Sequence, residues 1–199
     1  MEFATNYLNQ LKLIADKINK DDISRVVQVL KNVRANHGRL FLIGSGGGAG
    51  HASHATCDFR KLGGFNAYCP MDNISELTAR INDEGWETSI SNHLLVSRIN
   101  ANDCLFVLSV GGGSEEKNIS TNLVNAIKTA KEVGAKVVGI VGKDGGFTAK
   151  KADACVIIPV VDDALITPHT EGMQAVVWHL LISHPDIKLN QTKWESVAK

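Results

Sequence analysis

Five short apolar runs, separated by stretches with helical periodicity, constrain this chain more than any other feature. Candidate strands cover residues 39–43, 66–69, 104–110, 136–141 and 154–159. Runs such as CLFVLSV and KVVGIVG have no polar alternation, which suits a parallel sheet buried on both faces. Candidate helices lie between and after them, at 50–62, 74–81, 88–96, 117–133, near Thr148 and at 170–183. Strand and helix in alternation predict a doubly wound α/β sandwich, with five parallel strands joined by helical crossovers. Two helices precede it. One carries Leu8, Leu11, Leu13, Ile14 and Ile18 on an amphipathic face, and the second, capped by Asp21 or Asp22, carries Ile23, Val26, Val27, Val29 and Leu30. At 199 residues the chain fits a single domain. It divides into N-terminal helices (1–36), an α/β core (37–184) and a tail (185–199).

Charge narrows the partners. Lys plus Arg equals Asp plus Glu, 21 each, so the net charge is zero. A nucleic-acid footprint needs clustered excess positive charge, so no nucleic acid is expected. No apolar stretch reaches membrane-spanning length, and the N-terminus lacks the basic-then-apolar order of a signal peptide. The four cysteines (Cys57, Cys69, Cys104, Cys155) are scattered. Cys104 and Cys155 fall in apolar runs and read as buried free thiols, as in a reducing cytoplasm.

Ligands of an open α/β sheet bind beyond the carboxyl ends of its strands. Two glycine turns stand there. The first, Gly44-Ser45-Gly46-Gly47-Gly48, leads into a helical pattern; the second is Ser109-Val110-Gly111-Gly112-Gly113-Ser114. Glycine lets the backbone approach an anion, and a helix N-terminus supplies free N–H groups and a favourable dipole. The first turn matches neither GxGxxG nor GxxxxGK[ST], and no acidic ribose partner ends the second strand. Taken alone it also reads as a tight βα turn that needs glycine for backbone reasons. Two such loops after two parallel strands favour a phosphate cradle. Ser114 is placed as an N-cap, and such a hydroxyl also holds phosphate oxygens.

His54 and Asp58 stand at i, i+4 on one helix face. Glu171 and His179 are eight residues apart, slightly over two turns, and share a face of the last long helix. Two imidazoles and two carboxylates converging from two helices make a zinc set. His179 also reads as a hydrogen-bonded core histidine among Val176, Val177, Leu180 and Leu181. His51 lines the pocket or sits on the exposed face. Asn82-Asp83, after a short helix, reads as an Asx turn or as a polar site pair. His93, His169 and His184 have no partner visible in the sequence.

These residues resemble the sugar isomerase (SIS) domain family, and within it the bacterial phosphoheptose isomerases. That group has a GNGGSAADAQHFAAEL-like motif, which here reads Gly44 to Asp58; its histidine falls on His54 and its glutamate on Asp58. An STSGxS-like phosphate loop falls on Ser109 to Ser114, an Asn-Asp pair on Asn82-Asp83, and a late glutamine and histidine on Glu171 and His179. The resemblance implies a flavodoxin-like sheet order and a homotetramer with active sites between subunits. It also implies zinc at His54, Asp58, Glu171 and His179, and conversion of sedoheptulose 7-phosphate to D-glycero-D-manno-heptose 7-phosphate, an early step towards bacterial surface heptose (lipopolysaccharide or capsule). This chain departs from the pattern at Ser45, Gly48, Val110 and Gly111, which remove an amide and three hydroxyls, and at Pro168, where an aspartate is expected. Glu171 replaces a neutral glutamine, which strengthens cation binding.

Ketose–aldose isomerisation through an enediol needs a base, an acid and a charge stabiliser. Asp58 or Glu171 is the candidate base, His179 the acid, and Asp83 orients hydroxyls. Ser45, Gly46, Gly47, Gly48, Asn82, Ser109, Gly111, Gly112 and Ser114 line the substrate and phosphate site. The competing reading is a non-catalytic SIS module that binds a sugar phosphate or a protein partner. The missing hydroxyls favour it; the four metal-type side chains oppose it.

Overall fold

The computed structural model describes residues 2–197. Its centre is a five-stranded, all-parallel sheet in the order β2-β1-β3-β4-β5, built from β1 (Arg39–Gly44), β2 (Asn66–Tyr68), β3 (Cys104–Ser109), β4 (Lys136–Val141) and β5 (Ala154–Ile157). This is the doubly wound, flavodoxin-like order expected. The chain reverses direction across the sheet between β1 and β3, where such folds open a crevice.

Side-chain alternation along each strand feeds two cores. Leu40 and Leu42 of β1 point to one face, with Phe106 and Leu108 of β3. That face is covered by α2 (Lys20–Ala35), α3 (Gly47–Lys61) and α8 (Ile166–Ser183), through Val26, Leu30, Phe59, Trp178 and Leu181. Phe41, Ile43, Leu105 and Val107 point to the other face, beneath α5 (Ser89–Val96) and α6 (Thr121–Glu132). Asp103 pins the start of this layer. Its buried carboxylate accepts hydrogen bonds from the Arg39 backbone N–H (2.8 Å), the Arg39 Nη2 (2.7 Å) and the Asn100 N–H (2.9 Å), aligning β1 with β3.

Several boundaries move. The second helix is capped by Asn19, whose Oδ1 accepts the Asp21 N–H, and not by Asp21 or Asp22, which occupy its first turn. The helix after the first glycine turn starts at Gly47, three residues early. The helix expected from residue 117 starts at Thr121, because Ser114 and Ile119 close a small flap with paired backbone hydrogen bonds (2.9 and 3.0 Å). Ser114 is therefore not an N-cap; Ser120, in left-handed backbone, takes that place. The last long helix starts at Ile166 and not at residue 170. Pro168 is tolerated in its first turn, where a missing N–H costs no helical bond. α4 (Ile74–Glu84) runs through Asn82 and Asp83, which lie in its last turn and form no separate Asx turn.

The first helix, α1 (Glu2–Lys17), touches α8 through Gln10, which accepts from His169 Nε2 (2.6 Å), and through Tyr7 packed on the same ring. The tail folds back: Leu189 and Asn190 donate backbone N–H groups to Leu62 O, and Ile187 is fully buried. A short helix, α9 (Lys193–Val197), follows. All four cysteines are free; Cys69 and Cys104 are buried, but Cys155 is half-buried, less than expected, and Cys57 is exposed. Burial pushes the Cys155 thiol up to about 12 and the Cys69 thiol up to about 11, so both stay protonated at neutral pH. No helix among the described residues is long and apolar enough to cross a membrane.

Candidate active site

Both glycine loops lie at the carboxyl edge of the sheet, one after β1 and one after β3. The first is dictated by close approach. A Cβ on Gly48 would stand 2.3 Å from Leu108 O of the neighbouring strand, and one on Gly44 would stand 2.3 Å from the Gly48 carbonyl carbon. The serine of the family pattern therefore has no room at Gly48. Gly48→Ser is expected to destabilise the protein by about 1–3 kcal/mol, read as a lower urea midpoint at unchanged slope. Gly46, at φ 57°, turns the chain into α3 without a side-chain cap. Ser45 Oγ accepts a long bond from Asn122 Nδ2 (3.4 Å) in the first turn of α6, which ties the first loop to that helix. Asn122 is fully buried and its Oδ1 has no partner among the described residues.

The second loop is rigid. Gly112 (φ 69°) and Gly146 approach so closely that a Cβ on either would lie about 2 Å from a carbonyl oxygen of the other loop. Gly112 O accepts from Thr148 N–H and Oγ1, and Gly113 O from Phe147 N–H (2.8 Å), at the start of α7 (Gly146–Lys151). Ser109 Oγ accepts the Gly112 N–H (3.1 Å) and Ser114 Oγ the Lys117 N–H (3.3 Å). Both hydroxyl protons stay available to a phosphate oxygen.

Roughly two to three turns along α3 from the first loop, His54 and Asp58 meet His179 of α8. Asp58 Oδ2 lies 3.9 Å from His54 Nε2 and 3.9 Å from His179 Nε2, and one ligand atom from each lies within 4.8 Å of the others. His179 Nδ1 donates to Ala175 O (2.7 Å), which fixes its proton on Nδ1 and turns the Nε2 lone pair towards Asp58. That is how metal-ligating histidines are held by a backbone carbonyl. Trp178, buried, stacks on the His179 ring (3.4 Å between centroids) and meets His54 edge-on (4.9 Å). His179 is thus not a core histidine: its side chain is 53% exposed, and Trp178 fills the core position beside it. Two imidazole nitrogens and a carboxylate oxygen, with open space around them, are a donor set for a divalent cation of the zinc class.

Glu171 does not join them. Its carboxylate sits over Gly47, where an added Cβ would be 2.5 Å from both oxygens. Eight residues along α8 put it about 12 Å from His179, however well the faces agree. Asn82 and Asp83 are exposed and bonded to each other (2.7 Å), without contact to the trio within this chain. His51 lines the interior: its Nδ1 faces Oε1 of fully buried Gln174 (3.1 Å), whose Nε2 donates to Ile140 O. The three histidines without a partner visible in the sequence find one here, His169 in Gln10 as described above. His93 faces Glu76 (3.0 Å), and His184 Nδ1 accepts from Asp186 N–H. Sequence reasoning missed Gln174, Asn122 and Ser120. A polar residue inside the apolar helical stripes of α6 and α8 was the available signal for the first two.

The family model described as the SIS domain matches residues 3–142. The chain belongs to the SIS domain family. It is 32% identical to the lincomycin biosynthesis protein LmbN of Streptomyces lincolnensis, over 85% of this chain and 63% of that one. It therefore spans less than two thirds of that protein's length. It is 28% identical to the phosphoheptose isomerase of Helicobacter pylori strain Shi470, over 78% of both chains. The solved phosphoheptose isomerase of Neisseria gonorrhoeae shares the fold, with a TM-score of 0.77 at 23% identity, covering 91% of this chain and 95% of that one.

Proposed function

We propose that this SIS chain interconverts sedoheptulose 7-phosphate and D-glycero-D-manno-heptose 7-phosphate with the help of a divalent cation, zinc by its donor set. Phosphosugar isomerase is the enzyme class its relatives carry. The observation that carries the reading is the His54–Asp58–His179 group on α3 and α8, the helix that leaves the first glycine loop and the one packed against it. A module that only binds sugar phosphate has no use for that trio.

The reaction moves one proton from C1 to C2 and one from O1 to O2, through an enediol. Ser45, Ser109, Ser114 and the free loop N–H groups hold the phosphate. His54, Asp58 and His179 would hold the cation, which when bound supplies positive charge for the developing enediolate oxygen. A carboxylate engaged by a metal is a poor free base. Glu171, outside the trio, is therefore the group assigned to the carbon-bound proton, which requires its side chain to swing from Gly47 towards the trio when substrate binds. A homotetramer is part of the same proposal. α1 leaves Phe3, Leu8 and Leu13 exposed for a second copy, and Asp83 with Asn82 would orient hydroxyls in a neighbouring subunit's site.

Metal analysis of the purified protein, with turnover of sedoheptulose 7-phosphate before and after chelation, tests this. Bound zinc and turnover lost on chelation, then regained with added zinc, are expected. Stoichiometric metal without turnover rejects the heptose substrate, and neither metal nor turnover rejects catalysis.

A further inference from the structure

The two glycine loops offer hydroxyls and N–H groups but no cation, and a phosphate monoester carries close to two negative charges. The turn after β4 supplies one. Lys143 holds φ 51°, a left-handed backbone uncommon outside glycine, asparagine and aspartate. The bond from Gly142 N–H to Val110 O (2.9 Å) and the tight turn from Gly145 N–H to Gly142 O (2.9 Å) keep it there. Four other described non-glycine residues share this conformation, so here it fixes the direction in which the Lys143 side chain leaves the turn and no more.

That side chain runs across the second loop. Its Cδ lies 3.8 Å from where a Cβ of Gly111 would stand. Lys143 lines both a cavity of about 500 Å³, bounded by Gly111, Gly113, Ser114 and the flap, and a neighbouring one of about 300 Å³, bounded by Val110 and the start of α8. Among the described residues its ammonium makes no ion pair. The adjacent Asp144 accepts the Gly146 N–H (3.2 Å) and lines the same cavity, as do Glu115, Glu116, Lys117, Lys150 and Lys151; Lys143 is the one whose stem crosses Gly111. Lys131 and Lys136, by contrast, are both held by Asp153. We propose that Lys143 is the phosphate-binding cation of this site, contributing at Gly111 the attraction that the loop's own side chains lack. The inference rests on the phosphosugar reading above.

The test measures inorganic phosphate binding by calorimetry, and kcat and KM with sedoheptulose 7-phosphate, on the full metal-loaded protein. Lys143→Ala is expected to weaken phosphate binding and raise KM by about ten- to a hundredfold, with kcat changed by less than about threefold. Lys143→Arg, which keeps the charge, is expected to retain most of the binding. Gly111 has ordinary φ, and a Cβ there meets only the Lys143 Cδ at 3.8 Å, so Gly111→Ser adds a hydroxyl without strain. In the Lys143→Ala background it should recover part of the lost affinity. Lys150→Ala removes another charge that lines the larger cavity. Equal losses in Lys143→Ala and Lys150→Ala would mean a diffuse field and overturn the assignment, as would unchanged phosphate binding in Lys143→Ala. Phosphate binding lost in Lys143→Ala, in a protein that does not turn over the heptose, supports Lys143 while rejecting the proposed substrate.

Discussion

Asp58→Ala is expected to strip the divalent cation from the protein and lower kcat by about a thousandfold, with the fold intact. Asp58 is the only carboxylate in the trio, 3.9 Å from each imidazole nitrogen. Without it, two half-exposed imidazoles remain, a weak pair for a doubly charged cation. The carboxylate is mostly covered (19% exposed) but caps nothing and accepts no hydrogen bond among the described residues, so the stability change should stay within about 1 kcal/mol. Glu171→Gln provides the contrast. It removes the assigned base and leaves the trio, so kcat should fall by about a hundredfold or more while metal content stays stoichiometric. Metal content by mass spectrometry and kcat on the same preparations decide the matter. An Asp58→Ala protein that keeps both metal and turnover refutes the trio as the metal centre. A Glu171→Gln protein of full activity refutes the base.

Trp178→Ala should damage stability and site together. Among the described residues Trp178 is the largest fully buried side chain, packed from α8 onto the sheet and α3, and its truncation is expected to cost about 3–5 kcal/mol. The same ring is the surface on which His179 stacks and against which His54 leans. Its loss frees both imidazoles, so metal affinity falls in the molecules that remain folded. Trp178→Phe separates the two effects. The indole N–H has no hydrogen-bond partner among the described residues, and removing a buried unpaired donor offsets part of the cavity cost. Phenylalanine should therefore cost clearly less stability than alanine while keeping an aromatic face under His179. Urea unfolding and zinc titration of the two variants check this. Equal destabilisation by both would mean that the indole ring is not what fills this space.

The elements were legible because their signals are local. A run such as Lys136–Val141 is apolar at every position from Val137 on, and the strand has the bounds expected of it. The flap was not legible. In GGGSEEKNIS nothing along the chain announces that Ser114 and Ile119 pair, because that pairing depends on left-handed backbone at Asn118 and Ser120, two residues that also suit a helix start. The cap of α2 went to Asn19 over two aspartates for a similar reason. Capping depends on which residue leaves helical geometry first, and Asn19 is in extended backbone.

The site divides along the same line. His54 and Asp58 share a helix at i, i+4, so the sequence by itself determined that they stand together. It also determined that a glycine loop ends each of two strands, since strand, turn and helix follow one another in the chain; that the two strands are neighbours is set by the sheet order. Only the tertiary structure decided that His179 joins them and Glu171 does not. Helical periodicity reports the direction of a side chain around the axis and says nothing of its height. Two residues eight apart face the same way yet stand about 12 Å apart along α8. Likewise the glycine at position 48 follows from a carbonyl oxygen sixty residues away, and the place of Lys143 over Gly111 from a crossover between two strands. Contacts of that kind are set by how α3, α8 and the β4 turn pack on the sheet, and no window along the chain contains both partners.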